Sequence, residues 1–146
     1  MTLTIRPLRA ADKDDWRRLW TGYLRFYDTV LPDEVFETTF ARLIDPAQDN
    51  RHALVAERDG RLIGLVHYLY HAHNWRIEDV CYLQDLFVSE EARGTGAGRA
   101  LIEAVYAAAD AHGTPAVYWM TQESNTTARA LYDRIGRVTP FVKYIR

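Results

Sequence analysis

Three glycines alternate in the segment Arg93-Gly94-Thr95-Gly96-Ala97-Gly98-Arg99, between an apolar run and an alanine-rich one. Glycine has no Cβ, so it leaves the backbone open to close approach and reaches angles that other residues avoid. Where such a loop opens a helix, the first amides have no partner inside the helix, and the helix dipole favours negative charge there. An arginine at either end adds charge-assisted donors. The chemistry this pattern suits is the holding of a pyrophosphate by Gly94, Thr95, Gly96, Ala97 and Gly98, flanked by Arg93 and Arg99. The P-loop pattern fails because no Gly-Lys-Ser/Thr follows. A dinucleotide fingerprint needs glycine at Arg99, or at Leu101 if started at Gly96, which leaves a nucleotide-dependent oxidoreductase as a distant rival.

Downstream stand Asn125 and Tyr132, seven residues apart. Seven residues are about two helical turns, so the pair shares one helix face. Asn125 is a good helix cap and also a side-chain hydrogen-bond donor. Tyr132 is either a core aromatic or a weak acid able to protonate a leaving group. His67, His71 and His73 share odd positions but have no Cys or carboxylate at ligand spacing, so no metal site is expected. Cys81 is alone, which precludes an internal disulfide and fits a core residue better than an acyl carrier.

The elements that must position these residues follow from periodicity. Residues 2–6 alternate as a strand. Residues 12–27 carry Trp16, Leu19, Trp20, Tyr23, Leu24 and Tyr27 at helical spacing, and a second helix ends before Pro46. Residues 52–57 and 61–70 are strands joined through Asp59-Gly60, a strong hairpin signal. Residues 80–88 form a strand, 98–112 a helix stopped by Gly113, 116–121 a strand, 125–135 a helix stopped by Gly136, and 138–145 a last strand. The order predicts an α/β fold, a mixed sheet flanked by helices, in one domain over residues 1–146. Apolar residues make up 48% of the chain, enough for a packed core, and a net charge of −2 argues against general nucleic-acid binding. No apolar run approaches membrane-spanning length and the N-terminus lacks a signal-peptide core, so a cytoplasmic protein without membrane partners is expected.

Taken together, Tyr82-Leu83-Gln84-Asp85-Leu86-Phe87-Val88, the loop Arg93 to Gly98, and Asn125-Thr126-Thr127-Ala128-Arg129-Ala130-Leu131-Tyr132 resemble the Gcn5-related N-acetyltransferases. The family's Arg/Gln-x-x-Gly-x-Gly/Ala signature falls on Arg93, Gly96 and Gly98. The stretch from Val105 to Tyr132 further resembles the branch of fungal histone and polyamine acetyltransferases. The resemblance implies a mostly antiparallel mixed sheet and transfer of an acetyl group from acetyl-CoA to a primary amine by direct attack. The acceptor class stays open among small amines, polyamines, amino acids and protein lysines. A sensor that binds acetyl-CoA without turnover is the alternative.

The resemblance also implies roles. The backbone of Leu86, Phe87 and Val88 would hold the pantetheine arm, with the Phe87 amide facing the thioester carbonyl. The residues Gly94 to Arg99 would hold the pyrophosphate, and Asn125 would bond the arm. Tyr132 would protonate the departing thiolate. The base often found in such enzymes, a Glu in the strand before the loop, is replaced by Gln84, which cannot take a proton. Asp85 is preferred in its place over Glu123, Glu78 and Asp79, although a regular strand would point Asp85 to the opposite face. Tyr23, Tyr27, Trp75 and Gln84 are the expected acceptor-side residues. The apolar C-terminal segment, with Val138, Phe141, Val142, Tyr144 and Ile145, makes a homodimer the expected assembly.

Overall fold

The Asp59-Gly60 pair turns the chain back on itself with both residues at positive φ, 54° and 75°. It joins β2 (Arg51–Arg58) to β3 (Arg61–His71), the two long central strands. A computed structural model describes residues 2–146. β1 (Leu3–Pro7) lies outside β2, and β4 (Val80–Val88) lies on the other side of β3. These four strands are antiparallel, and β5 (Val117–Tyr118) joins β4 in parallel to complete a five-stranded sheet in chain order. The α/β class, with a mixed and mostly antiparallel sheet, is as the sequence predicts.

Helices cover both faces. α1 (Lys13–Phe26) and α2 (Asp33–Ile44) pack on one face, where Trp16, Leu19, Trp20, Phe36 and Phe40 meet Val55 and Leu65. α3 (Ala97–His112) covers the other, where Leu101, Ile102, Val105 and Ala109 meet Val66, Tyr68, Cys81 and Leu83. α4 (Thr126–Ile135) lies on the same side, with Leu131, Tyr132 and Ile135 against that second core. Small residues in α3 let its axis approach the sheet closely, and Ala97 and Ala109 are fully buried.

Two strand boundaries differ from expectation. The fifth strand is two residues long rather than spanning 116–121, because β4 and β5 diverge after Tyr82. The last strand expected over 138–145 does not form, and residues 137–146 carry no regular element. Pro140 lacks the N–H that a ladder needs, and a two-residue β5 gives the tail little edge to pair with. Its apolar side chains are consequently exposed, Phe141 at 82% and Ile145 at 82%.

Candidate active site

The register between β3 and β4 slips at one place. His67 pairs with Asp85 and Tyr68 pairs with Leu83, so Gln84 has no partner of its own. Such a bulge adds a residue to one strand and reverses the face on which every later side chain lies. Cys81 and Leu83 face the α3 core, whereas Asp85 lies with His67 on the α1 side and Phe87 packs into the α1–α2 core. In a regular strand Asp85 would have pointed into the α3 core. The bulge removes that objection to its role and leaves Gln84 exposed.

Asp85 is buried and accepts a 2.8 Å hydrogen bond from Nδ1 of His67. Nε2 of His67 lies 3.0 Å from Nε1 of Trp16. The indole nitrogen is a donor only, so Nε2 must accept and the neutral ring carries its proton on Nδ1. Burial, with the Asp85 charge adding to it, drives the Tyr23 pKa strongly upward. Tyr27 packs against Tyr23, with centroids 5.1 Å apart, and burial raises its pKa although a hydrogen bond with Thr121 opposes the shift. Tyr82 stacks on Tyr118 at 4.7 Å, and Tyr118 hydrogen-bonds Nε2 of His71 at 2.8 Å. An aromatic wall therefore surrounds one buried carboxylate on the α1 side of the β4–β5 gap.

The β4 backbone beyond Tyr82 has no ladder to β5. Leu86, Phe87 and Val88 thus offer an edge to an added strand. The Phe87 ring is fixed from the far side, since a Cβ on Gly22 would stand 2.8 Å from its Cζ atom. Above this edge the chain passes a 3-10 turn (Glu90–Ala92) and enters the glycine loop. Gly94 and Gly96 have φ of 81° and 85°, and Gly96 is the residue that launches α3. A Cβ on either would meet nothing within 4 Å, so the left-handed backbone rather than lack of space requires glycine there. Thr95 Oγ1 donates to the Ala92 carbonyl, which holds the loop closed. The first amides of α3, at Ala97, Gly98 and Arg99, point into this loop end without intrahelical partners.

The flanking arginines each bond within the chain. Arg93 donates from Nε to the Val88 carbonyl at 3.3 Å and lies over the Phe87 ring. Arg99 is turned along the helix to Glu103 at 2.6 Å. Asn125 stands at the start of α4, but its side chain caps nothing and donates from Nδ2 to Thr121 Oγ1 at 3.1 Å. Tyr132 is half-buried against Trp119, with centroids 5.5 Å apart and rings near perpendicular. Burial pushes its pKa up to about 12, with a smaller contribution from Tyr27. Asn125 thus pairs with Thr121 and Tyr132 packs on Trp119, both just beyond β5 in the chain.

Of the expected acceptor-side residues, Tyr23 and Tyr27 come together beside Asp85. Trp75 stands apart, 86% exposed and in edge contact with His73. Glu78 is paired with Arg76, and Glu123 is exposed before α4. Cys81 is fully buried, and its surroundings push the thiol pKa up to about 11. Sequence reasoning missed His67 and Trp16 as partners of Asp85. The available signal was that His67 and Trp16 are polar or amphipathic groups at inward positions of a strand and a helix.

Comparison with known proteins places this geometry. The Acetyltransferase (GNAT) family model matches residues 14–136. The chain is 44% identical over 145 residues to the D-amino-acid N-acetyltransferase HPA3 of Saccharomyces cerevisiae, covering 99% of this chain and 90% of that protein. It is 33% identical to the uncharacterized N-acetyltransferase YhfO of Bacillus subtilis, covering 97% and 95%. Among solved structures, the fold is shared with AAC(6')-Iy in complex with a bisubstrate analog, at a TM-score of 0.87 and 20% identity, over 100% of this chain and 98% of that one. It is also shared with the ribosomal-protein-alanine N-acetyltransferase of Brucella melitensis, at a TM-score of 0.79 and 19% identity, over 99% and 98%. The glycine loop, the parted strands and the Asn125/Tyr132 pair thus sit in a chain that belongs to the GNAT family and is an acetyl-CoA-dependent N-acetyltransferase.

Proposed function

We propose that the acceptor is a small amino acid or related primary amine, acetylated by direct attack within the gap between β4 and β5. The observation that carries this reading is the bulge at Gln84, which turns Asp85 to the aromatic α1 side. The similarity to a yeast enzyme named for D-amino acids supports a compact acceptor. Half-buried Tyr23, Tyr27 and Tyr82 around one carboxylate suit a small ammonium group better than a long extended chain.

In this reading acetyl-CoA supplies an activated thioester, lying along the free edge of β4 with its pyrophosphate at the glycine loop. Backbone groups of Leu86, Phe87 and Val88 hold the arm, and the Phe87 amide donates toward the acyl oxygen. Amides at the start of α3, with Gly94, Thr95 and Gly96 shaping the approach, hold the phosphates. Asn125 orients the arm. Asp85 is the proton acceptor for the incoming ammonium, and Tyr132, protonated up to about pH 12, donates to the departing sulfur. Buried Cys81 takes no part, so no acyl-enzyme forms.

We also propose a homodimer through residues 138–146, whose exposed Val138, Phe141, Val142 and Ile145 form an apolar surface.

Release of free thiol from acetyl-CoA, measured on a panel of D- and L-amino acids, polyamines, an aminoglycoside and a lysine peptide, tests the acceptor. Turnover with amino acids at least tenfold above the other classes is the expected result. Turnover confined to the peptide or to polyamines would overturn it.

A further inference from the structure

Two side chains stand behind Asp85 and have no part in the reaction as described above: His67 of β3 and Trp16 of α1. His67 is 6% exposed and Trp16 1%, so the bonds among the three residues meet little competition from water. Trp16 Nε1 donates to His67 Nε2 at 3.0 Å, and His67 Nδ1 donates to Asp85 Oδ2 at 2.8 Å. The direction of this chain is fixed by chemistry. An indole N–H can only donate, so Nε2 must accept, and the proton of the neutral ring stands on Nδ1, toward the carboxylate. A second proton on Nε2 would set two donors face to face in a buried setting, where a donor without an acceptor is costly.

A carboxylate beside an imidazole can serve a proton transfer in either of two orders. Where the far nitrogen of the ring faces the reactants, the ring takes the proton and the carboxylate orients the ring. Here the far nitrogen is closed by Trp16, and the oxygen that His67 leaves over is Asp85 Oδ1. The Asp85 side chain keeps 9% of its surface open. We propose that the order is reversed in this enzyme: Asp85 takes the proton at Oδ1, and His67, oriented by Trp16, is the positioning residue that holds the carboxylate by Oδ2. This role rests on Asp85 as the base and adds the two residues that fix its geometry. Because the ring is held neutral, no imidazolium offsets the charge of the carboxylate.

In the reaction an N–H bond of the acceptor ammonium breaks and an O–H bond forms at Asp85 Oδ1. The nitrogen keeps the electron pair and attacks the thioester. Asp85 becomes a carboxylic acid that still accepts from Nδ1 at Oδ2, so the chain behind it stays intact through the step. The ring gains and loses no proton. After the product leaves, Asp85 gives its proton to water.

Two measurements test the reversed order. The first is nitrogen NMR of isotope-labelled wild type, with the His67 ring assigned by scalar coupling across its hydrogen bond to the Trp16 indole. The shifts should report a neutral ring with its proton on Nδ1 and a bare Nε2 at the pH of the activity assay. An imidazolium, or a proton on Nε2, overturns the proposal, and this result depends on no variant folding. The second is single-turnover acetyl transfer to the acceptor turned over fastest, in wild type, His67→Phe, His67→Asn and Asp85→Asn. Melting temperature and acetyl-CoA affinity are measured on each. His67→Phe keeps a ring and removes the donor, whereas His67→Asn keeps an N–H close to the place of Nδ1. His67→Phe should lose about tenfold or more in rate with acetyl-CoA affinity unchanged, and His67→Asn should return to within about threefold of wild type. A ring that is itself the base predicts equal losses in the two variants, which overturns the positioning role. A full rate in folded His67→Phe beside a slow Asp85→Asn removes His67 and leaves Asp85 as the base. A full rate in Asp85→Asn overturns the base assignment and the positioning role together.

Discussion

Asp85 stands opposite His67 in the β3–β4 ladder and accepts a 2.8 Å hydrogen bond from its Nδ1, because the bulge at Gln84 shifts the register by one residue just before it. His67 lies against Trp16 and Trp20, so a titratable group that a regular strand would have sunk into the α3 core instead lies on the α1 side. Removing His67 should therefore affect more than packing. In His67→Phe the Trp16 donor and one Asp85 oxygen lose their partner in a buried setting. A loss of about 1–3 kcal/mol is expected from thermal or urea unfolding. His67→Asn, which keeps a donor, should recover part of it.

Tyr132→Phe isolates the leaving-group proton. The ring and its contact with Trp119 remain, so melting temperature and acetyl-CoA affinity should stay near wild type. General-acid catalysis is worth about 10²–10⁴-fold, so kcat should fall on that scale where chemistry limits turnover. Because burial pushes the Tyr132 pKa up to about 12, its proton is retained at all lower pH. The wild-type kcat profile should show no decline assignable to this hydroxyl below about that value. A stable Tyr132→Phe enzyme with full turnover would remove the residue from the mechanism.

The glycine loop should respond to backbone angle rather than to bulk. Gly96 has φ 85° and open space around its missing Cβ. Gly96→Val then costs about 1–2 kcal/mol through the left-handed angle and displaces the amides at the start of α3. Acetyl-CoA affinity by calorimetry should fall tenfold or more, about 1.4 kcal/mol. Gly98 has no positive φ and an added Cβ would meet Leu131 and Val88 at an ordinary 3.7 Å, so Gly98→Ala should fold normally. Unchanged affinity in Gly96→Val would sink the loop as the phosphate site.

Cys81 lies in β4 with its side chain buried in the α3 core, which raises its pKa from 9.0 to about 11. The folded state favours the neutral thiol. Its contribution to stability is therefore complete below about pH 9 and declines between 9 and 11, where the unfolded chain ionises first. Thiol reagents should label Cys81 only after unfolding, and the alkaline loss of melting temperature should be smaller in Cys81→Ala. Rapid labelling of the native enzyme at pH 7 would contradict the buried placement.

The C-terminal segment gives the assembly its test. Light scattering at micromolar concentration should yield twice the 16.9 kDa of one chain. Removing residues 138–146 should give a single-chain mass with the sheet intact. A single-chain mass for the full protein would exclude this dimer.

The parts of this protein that local chemistry controls were legible in its sequence. Alternating glycines between a strand and a helix need no distant contact to mark a left-handed turn into α3, and the seven-residue spacing of Asn125 and Tyr132 follows from helical pitch alone. The Asp59-Gly60 hairpin, the strand Val80–Val88 and the helix stop at Gly113 likewise depend on neighbours in the chain. The parts that needed the tertiary structure are those where one element answers to another. A strand repeats every two residues, so a single bulge at Gln84 reverses the side on which Asp85 lies, and only the register with His67 reveals it. The same dependence left the tail at 138–146 without the strand its apolar pattern predicted and brought Trp16 of α1 onto His67 of β3. In each case the residue type set what bonds were possible, and the neighbour brought close by folding decided which one formed.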